Sequence, residues 1–199
     1  MIEMHLYVEE ILKLWYYNMH YKRVKEGEKM PIIANIIGGL AVLVFALGFQ
    51  CKTRRHIIIT NVFSRVLYIL QYLILGAFSG AVFDLIGAFA TLFAQHKDRP
   101  FLKKFKFFIW IITALILVVA TYFLYENPLS FLPLFGVVFE IVAVWFTKEK
   151  HIRIAAFLAQ PFWFSYNLLS CAFGSAAGNV FTMISIIIAL VRFFKKDKP

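Results

Sequence analysis

Residues 57–94 decide the fold, and they read IIITNVFSRVLYILQYLILGAFSGAVFDLIGAFATLFA. The stretch contains two apolar runs, Ile57–Leu75 and Ala77–Ala94, which a single glycine separates. A helix needs about 20 apolar residues to cross a bilayer core about 30 Å thick, and each run has nearly that length. Each run also carries a charge, Arg65 or Asp84, that hydrocarbon would penalise unless the charge found a partner. The stretch therefore predicts a hairpin of two membrane-spanning helices with paired charges inside.

The rest of the chain shares this apolar character, since 61% of its 199 residues are hydrophobic and only 16% are charged. A soluble domain of this size could not bury so much apolar surface, so lipid is the predicted solvent. A formal net charge of +10 would suggest a nucleic-acid partner in a soluble protein. Here the basic residues gather between apolar runs, as membrane topology requires. We therefore expect a lipid bilayer, and no nucleic acid, as a partner.

Seven apolar spans follow residue 30 and predict an all-α integral membrane protein with seven transmembrane helices. The spans are Ile32–Phe49, Ile57–Leu75, Ala77–Ala94, Phe107–Tyr125, Phe131–Phe146, Ile152–Ser170 and Phe173–Phe194. Lys and Arg occupy alternate loops and the C-terminal tail, whereas the loops at Gly76, Glu126 and Cys171 contain neither. By the positive-inside rule, this bias predicts an N-terminus outside the cell membrane and a C-terminus in the cytoplasm.

A shift of 95 residues places the first three spans on the last three and leaves the fourth unmatched. Each triplet contains a basic loop, a span, a tight uncharged turn and another span. The predicted architecture is a 3+1+3 arrangement of two like-oriented repeats, related by an axis along the membrane normal. The first three-helix unit is residues 30–97, the linker with helix four is 98–126, and the second three-helix unit is 127–199.

Residues 1–29 form an N-terminal extension that is too polar to span a membrane. One interpretation is an interfacial helix with Trp15 and Tyr16 among the lipid headgroups. The other is that translation begins at Met30, because residues 25–30 can be encoded by a ribosome-binding sequence followed by a start codon. A start at Met30 would also remove four basic residues that disagree with the positive-inside pattern.

Polar side chains inside the spans must find a partner or water, so they define the candidate site. Arg65 and Asp84 lie at similar predicted depths on neighbouring spans, and Glu140 on the fifth span is a rival partner for the arginine. The charges form either a structural ion pair or part of a pathway for a solute or a proton.

The 95-residue shift sets Asp84 opposite Asn179, and Tyr68 opposite Trp163. These four residues and Arg65 would face one central cavity, where aromatic and hydrogen-bonding groups suit a small polar solute. The candidate substrate-binding residues are therefore Asp84, Asn179, Trp163, Tyr68 and Arg65. The alternative is that Asn179 only joins two helices and that Trp163 packs against lipid.

A small-residue face is predicted on the third span, since Gly76, Gly80, Asp84, Gly87 and Thr91 recur at three- and four-residue spacing. Such a face lets another helix approach closely. The sequence shows no zinc-ligand cluster, nucleophile motif or phosphate-binding loop, so we expect no enzyme activity, cofactor or metal site. It specifies no oligomeric state.

Two segments, FQCKTRR at residues 49–55 and QYLILGAFSGA at residues 71–81, resemble the YgjV family of bacterial inner-membrane proteins. The resemblance covers Met30 to about Lys196 and implies a location in the bacterial inner membrane. It carries no biochemical role with it. The three-one-three layout is also similar to that of the SWEET and PQ-loop transporters and the KDEL-receptor group.

In SWEET transporters an Asn on helix three, an Asn on helix seven and a Trp on helix six contact the sugar. Asn179 and Trp163 match two of these places, while Asp84 replaces the first Asn. The Pro-Gln signature is absent, because Gln160-Pro161 has the reverse order. This resemblance implies transport of a small polar solute by alternating access. The alternative is a non-transporting structural or receptor-like protein of the same fold.

Overall fold

The computed structural model describes residues 29–48, 54–94, 96, 99–125 and 128–196. The prediction for the N-terminal extension lies outside these residues except at Lys29, and parts of the basic loops and tail also lie outside them. Within the described ranges the chain is helical and has no strand. Seven long helices, α1 to α7, occupy Lys29–Gly48, Arg54–Ile74, Phe78–Ala94, Lys106–Leu124, Phe131–Trp145, Glu149–Leu169 and Phe173–Lys196. Each predicted span coincides with one of them, with ends that agree within three residues.

Three segments of the described chain are long and apolar enough to cross a membrane, and they are Lys106–Leu124, Pro128–Trp145 and Phe173–Phe193. Shorter apolar helices occur at Pro31–Leu47, Val62–Ile74 and Phe78–Ala94. The first turns of α2 and α6 are charged, with Arg54-Arg55 and Glu149-Lys150, which shortens their apolar portions. Two short pieces, a helix at Pro100–Lys104 and a 3-10 turn at Pro128–Ser130, precede α4 and α5.

Helix α4 shows why lipid must surround the protein. Only Leu117 is buried among its 19 residues, and the side chains on its surface are overwhelmingly apolar. Tyr122, for example, is 79% exposed. A helix that exposes apolar side chains around its circumference is stable in hydrocarbon rather than in water.

The other six long helices form a closed ring in the order α1, α2, α3, α5, α6, α7, with α7 returning to α1. Helix α4 lies outside this ring, mainly against α3. The most extensive contacts between the first three helices and the last three are those of α3 with α5 and of α7 with α1. The ring encloses the buried core, which includes Phe83, Val137 and Trp163.

The turns after α2 and α6 have the same backbone structure at positions 95 residues apart. Both are Schellman motifs, in which a residue with left-handed backbone follows the helix. That residue is Gly76 in the first turn, with φ 65°, and Cys171 in the second, with φ 60°. In each motif, the N–H group of the residue after the left-handed one donates to a carbonyl oxygen five residues earlier. These hydrogen bonds are Ala77 N–H to Tyr72 O and Ala172 N–H to Asn167 O, and each is 2.8 Å long.

Helices α1 and α7 approach each other closely at Gly174. A Cβ atom added there would lie 2.7 Å from Gly39 N and 2.8 Å from Asn35 O, which are backbone atoms that cannot rotate away. We expect Gly174→Ala to separate the helices and to lower the free energy of unfolding by about 1–3 kcal/mol. Unfolding of the purified protein by SDS in mixed micelles measures this change.

Gly39→Ala is the matched control on the facing helix. A Cβ atom at Gly39 would have no atom of a neighbouring element within 4 Å among the residues that the structure describes. Because alanine favours helix over glycine by up to about 1 kcal/mol, this variant should be as stable as the wild type or slightly more stable. Equal destabilisation by both substitutions would contradict close packing at Gly174.

Candidate functional site

All five predicted substrate-binding residues line a single cavity of about 110 Å³ inside the ring. Arg65 and Tyr68 come from α2, Asp84 from α3, Trp163 from α6 and Asn179 from α7. Asp84 is 6% exposed and Trp163 is 4% exposed, so neither lies on the outer surface. The interpretation that Trp163 packs against lipid is therefore wrong.

The lining of this cavity follows the 95-residue shift. Ten of its residues form five pairs at that spacing, namely Phe45 with Glu140, Arg65 with Gln160, Tyr68 with Trp163, Tyr72 with Asn167, and Asp84 with Asn179. The two members of one pair touch, because the Tyr72 hydroxyl donates to Asn167 Oδ1 over 2.7 Å. The first three and the last three helices thus contribute corresponding positions, and we call these two sets of helices the first and second half.

Arg65 contacts two carboxylates, Asp84 of the first half and Glu140 of the second half. Its Nη1 donates to Asp84 Oδ1 over 2.5 Å, and its Nη2 donates to Glu140 Oε2 over 3.4 Å. The sequence presented the two acids as rivals, whereas the structure shows that Arg65 binds both. The side chain of Arg65 is 16% exposed, that of Asp84 is 9% exposed and that of Glu140 is 22% exposed. One cation and two anions give this cluster a formal net charge of −1.

Neutral amides occupy the corresponding positions of the second half. Asn179 Nδ2 donates to Gln160 Oε1 over 2.9 Å, and Asn167 Nδ2 donates to Asn179 Oδ1 over 2.7 Å. The bond between Asn179 and Gln160 lies 95 residues after the bond between Asp84 and Arg65. Asn179 therefore joins α7 to α6, as one interpretation of the sequence held, and also lines the cavity.

Three buried polar atoms have no hydrogen-bond partner within the described part of the chain, and they are Arg65 Nε, Asp84 Oδ2 and Trp163 Nε1. Buried polar groups normally have a partner, either in the protein or in ordered water. The second carboxylate oxygen of Asp84, a lining residue, is therefore an acceptor that the described chain leaves unused.

Aromatic rings form one wall of the site around Trp163. Its indole stacks on Tyr72 with 6.4 Å between ring centroids and 17° between planes. It meets Tyr166 edge to face, at 6.4 Å and 79°. A Cβ atom on Gly136 of α5 would lie 2.7 Å from Trp163 Nε1, so only glycine leaves room for the indole there.

Tyr166 on α6 caps the start of α3 across the boundary between the two halves. Helix α3 begins after Ala77, which has no side-chain oxygen to satisfy the first N–H groups of the helix. The Tyr166 hydroxyl accepts from Gly80 N–H over 2.8 Å and donates to Ala77 O over 3.2 Å. Ser79 Oγ lies 3.0 Å from the same hydroxyl.

The start of α7 is satisfied in the same manner, by side chains of α1 and α2. Asn35 Oδ1 accepts from Gly174 N–H over 3.0 Å, and its Nδ2 donates to Cys171 O over 3.1 Å. The Ser175 hydroxyl donates to Gln71 Oε1. Since Gln71 corresponds to Tyr166 and Ser175 to Gly80 at the 95-residue spacing, the two halves bind each other reciprocally. We call the contacts made by Tyr166, Asn35 and Gln71 the interlock.

Several lining residues lay outside the predicted site. Applying the 95-residue shift to Arg65 and Tyr72 would have indicated Gln160 and Asn167, but Phe45 carries no polar signal in the sequence. For Glu140, the sequence predicts only a partner of the arginine and not a lining residue. Within the described ranges, no group of three or more His, Cys, Asp or Glu residues is placed to hold a metal ion.

Comparison with known proteins places the chain in a family. A family model, Imp-YgjV, described as a bacterial inner membrane protein, matches residues 32–197, which include all of the residues that line the cavity. No curated protein and no solved structure matches the chain. With its lipid-exposed helices and its polar interior, the chain belongs to the Imp-YgjV family of bacterial inner membrane proteins.

Proposed function

We propose that the protein carries a small polar solute across the inner membrane by alternating access. The observation that supports this most strongly is the polar cavity, to which both halves contribute corresponding residues. Arg65 lies eight residues after Ile57, where the apolar run of α2 begins, about 12 Å along the helix axis. In a hydrocarbon core about 30 Å thick, that position is near mid-depth, where secondary transporters hold their substrates.

The proposal includes the topology that the sequence predicts. All seven long helices span the membrane in a 3+1+3 arrangement of like-oriented units, with the N-terminus outside and the C-terminus in the cytoplasm. Matching turns at Gly76 and Cys171 support like-oriented units, since both end the second helix of a triplet in the same backbone conformation. In this orientation both turns face the periplasm, and the interlock lies between them and the cavity.

Alternating access follows if one half rocks against the other about the cavity. The surfaces that would move are the α3–α5 and α7–α1 contacts, and each includes a closely packed glycine. A Cβ atom on Gly87 of α3 would lie 3.1 Å from Val137 Cγ2 of α5, and Gly174 lies against α1. In the present conformation the interlock joins the halves on the periplasmic side, so opening that side requires its hydrogen bonds to break.

The size of the cavity limits the solute in this conformation. A cavity of about 150 Å³ holds one benzene ring, and the cavity here is smaller, at about 110 Å³. A solute with about four or five non-hydrogen atoms would fit within this volume.

A second candidate function is that of a non-transporting structural or receptor-like protein. It is favoured by the contacts of Arg65, which tie α2 to both α3 and α5 and could serve only to hold the helices together. Such a protein would keep the cavity closed to one side of the membrane, or to both.

Access to the cavity from each side of the membrane tests the proposal without knowledge of the solute. Thr182, a lining residue on α7, is replaced by cysteine in a background carrying Cys51→Ser and Cys171→Gly. A small membrane-impermeant methanethiosulfonate is then applied to spheroplasts and to inverted vesicles. Alternating access predicts labelling of Thr182→Cys from both sides. Labelling from only one side, or from neither, would contradict transport.

The matched control is Leu115→Cys in the same background. Leu115 lies at the middle of α4 and is 61% exposed to the surroundings of the protein. In a bilayer these surroundings are lipid, where a thiol does not ionise and a charged reagent does not enter. This variant should remain unlabelled from both sides, so that labelling of Thr182→Cys reports water in the cavity.

A further inference from the structure

We propose that the solute bound in the cavity is a small organic monocation, with an ammonium or amidinium group and about four non-hydrogen atoms. The inference deepens the proposed function, because it assigns a charge and a size class to the solute. The observation that carries it is the charged cluster of Arg65, Asp84 and Glu140 in a cavity to which both halves contribute corresponding positions. Arg65 and Asp84 of the first half correspond to the neutral Gln160 and Asn179, and Glu140 of the second half corresponds to Phe45.

The first step of the argument is the net charge. Two carboxylates and one guanidinium leave one negative charge uncompensated in a site that is largely shielded from water. A buried charge without a partner is strongly unfavourable, so a bound cation would stabilise the site and a bound anion would add to the excess. No Lys, Arg or His other than Arg65 is among the described lining residues.

The second step is the availability of acceptors. Asp84 Oδ2 is buried and accepts no hydrogen bond from any residue that the structure describes. Glu140 is the more exposed of the two acids, and its contact with Arg65 is long, at 3.4 Å. Both Nη groups of Arg65 already face carboxylates. Glu140 therefore offers accessible oxygen acceptors to a solute that carries N–H donors, and Asp84 Oδ2 adds to the unsatisfied acceptors of the cluster.

The third step is the aromatic wall. Tyr68, Tyr72 and Trp163 line the same cavity as the two acids. The faces of aromatic rings attract cations, and tryptophan does so most strongly. A flat amidinium or a compact ammonium can contact a ring and a carboxylate together within a space of about 110 Å³.

An isosteric series separates charge from size. Acetamidinium, acetamide and acetate each have four non-hydrogen atoms and a similar shape, and their charges are +1, 0 and −1. The thermal unfolding midpoint of the purified protein in detergent is measured against the concentration of each, with sodium or chloride as the counter-ion in matched ionic strength. We expect acetamidinium to reach half its stabilising effect at a concentration at least tenfold lower than acetamide, and acetate to have no effect.

The wild-type series decides the proposal whether or not any variant folds. Equal or stronger stabilisation by acetamide or acetate would overturn it, and so would the absence of any response to acetamidinium. Glu140→Gln then tests the source of the charge, since it makes the cluster formally neutral at nearly constant volume. We expect it to raise the half-effect concentration of acetamidinium at least tenfold.

Glu149→Gln is the matched control for that variant. It makes the same chemical change at the first residue of α6, which lies eleven residues, or about 16 Å of helix, before Gln160. Its response to acetamidinium should equal that of the wild type. If Glu149→Gln raised the half-effect concentration of acetamidinium as much as Glu140→Gln does, the effect would come from the overall charge of the protein. That result would overturn a cation site in the cavity.

The outcomes separate this inference from the proposed function. Binding of acetamidinium together with one-sided labelling of Thr182→Cys would retain the cation site and reject transport. Two-sided labelling together with a preference for acetamide or acetate would retain transport and reject the cation.

Discussion

Arg65→Gln is expected to lower the free energy of unfolding by about 3–5 kcal/mol, because removing one partner of a buried ion pair leaves uncompensated charge behind. In this protein two carboxylates would lose their cation together. Asp84 is the more affected, since its side chain is only 9% exposed and its second oxygen already has no partner within the described chain. Unfolding by SDS in mixed micelles measures the change.

The double variant Arg65→Gln/Asp84→Asn should recover at least half of that loss. It copies a pair that the protein already contains, since Gln160 and Asn179 hydrogen bond to each other at the corresponding positions of the second half. Glu140 would remain as the one charged residue of the former cluster, and its 22% exposure leaves it contact with water. A double-mutant cycle with Asp84→Asn alone should therefore show a coupling energy of about 1–3 kcal/mol.

The same double variant distinguishes the two candidate functions. If the cluster serves transport, the variant stays folded but loses its two-sided labelling. Because Glu140 remains, the formal net charge stays −1, and the preference for acetamidinium should persist. If the cluster only joins helices, the coupling energy is the whole effect, and the labelling of Thr182→Cys is the same as in the wild-type background. Additive losses in the cycle would contradict a direct interaction between Arg65 and Asp84.

The helices could be predicted from the sequence because each one pairs an apolar run with a strong boundary signal. Gly76 ends α2, for example, where the left-handed backbone of a Schellman turn favours glycine. The boundary at Cys171 has no glycine, so its left-handed backbone could be expected only from the correspondence with Gly76. The order of the helices in the ring was beyond prediction, because apolar surfaces in lipid do not specify which neighbour they contact.

The five candidate residues could be predicted as one group because polar residues in hydrocarbon must cluster and the 95-residue shift pairs them. The net charge of the site could not, since it depends on Glu140 of α5 meeting Arg65 together with Asp84. The interlock was equally hidden. Tyr166 and Asn35 are unremarkable in the sequence, and each acts as a helix cap only when the ring closes and brings the other half beside it.

Tyr166→Phe is expected to open the interlock and to raise the rate of labelling of Thr182→Cys from the periplasmic side. The substitution keeps the ring and removes the hydroxyl that accepts from Gly80 N–H and donates to Ala77 O. In the closed conformation Gly80 N–H would then be buried without this partner, which costs about 1–3 kcal/mol. In a conformation open to the periplasm, water would hydrate the same group. The substitution therefore destabilises only the closed conformation.

A shift of about 1–3 kcal/mol between two conformations changes their ratio about 5- to 150-fold, and labelling from the periplasmic side should rise within that range. Labelling from the cytoplasmic side should not rise, because the interlock lies on the other side of the cavity in the proposed orientation. Tyr122→Phe is the matched control, since it makes the same change on the exposed surface of α4. An unchanged periplasmic rate in folded Tyr166→Phe would show that the interlock does not hold the cavity closed, and a rise on the cytoplasmic side would reverse the proposed orientation.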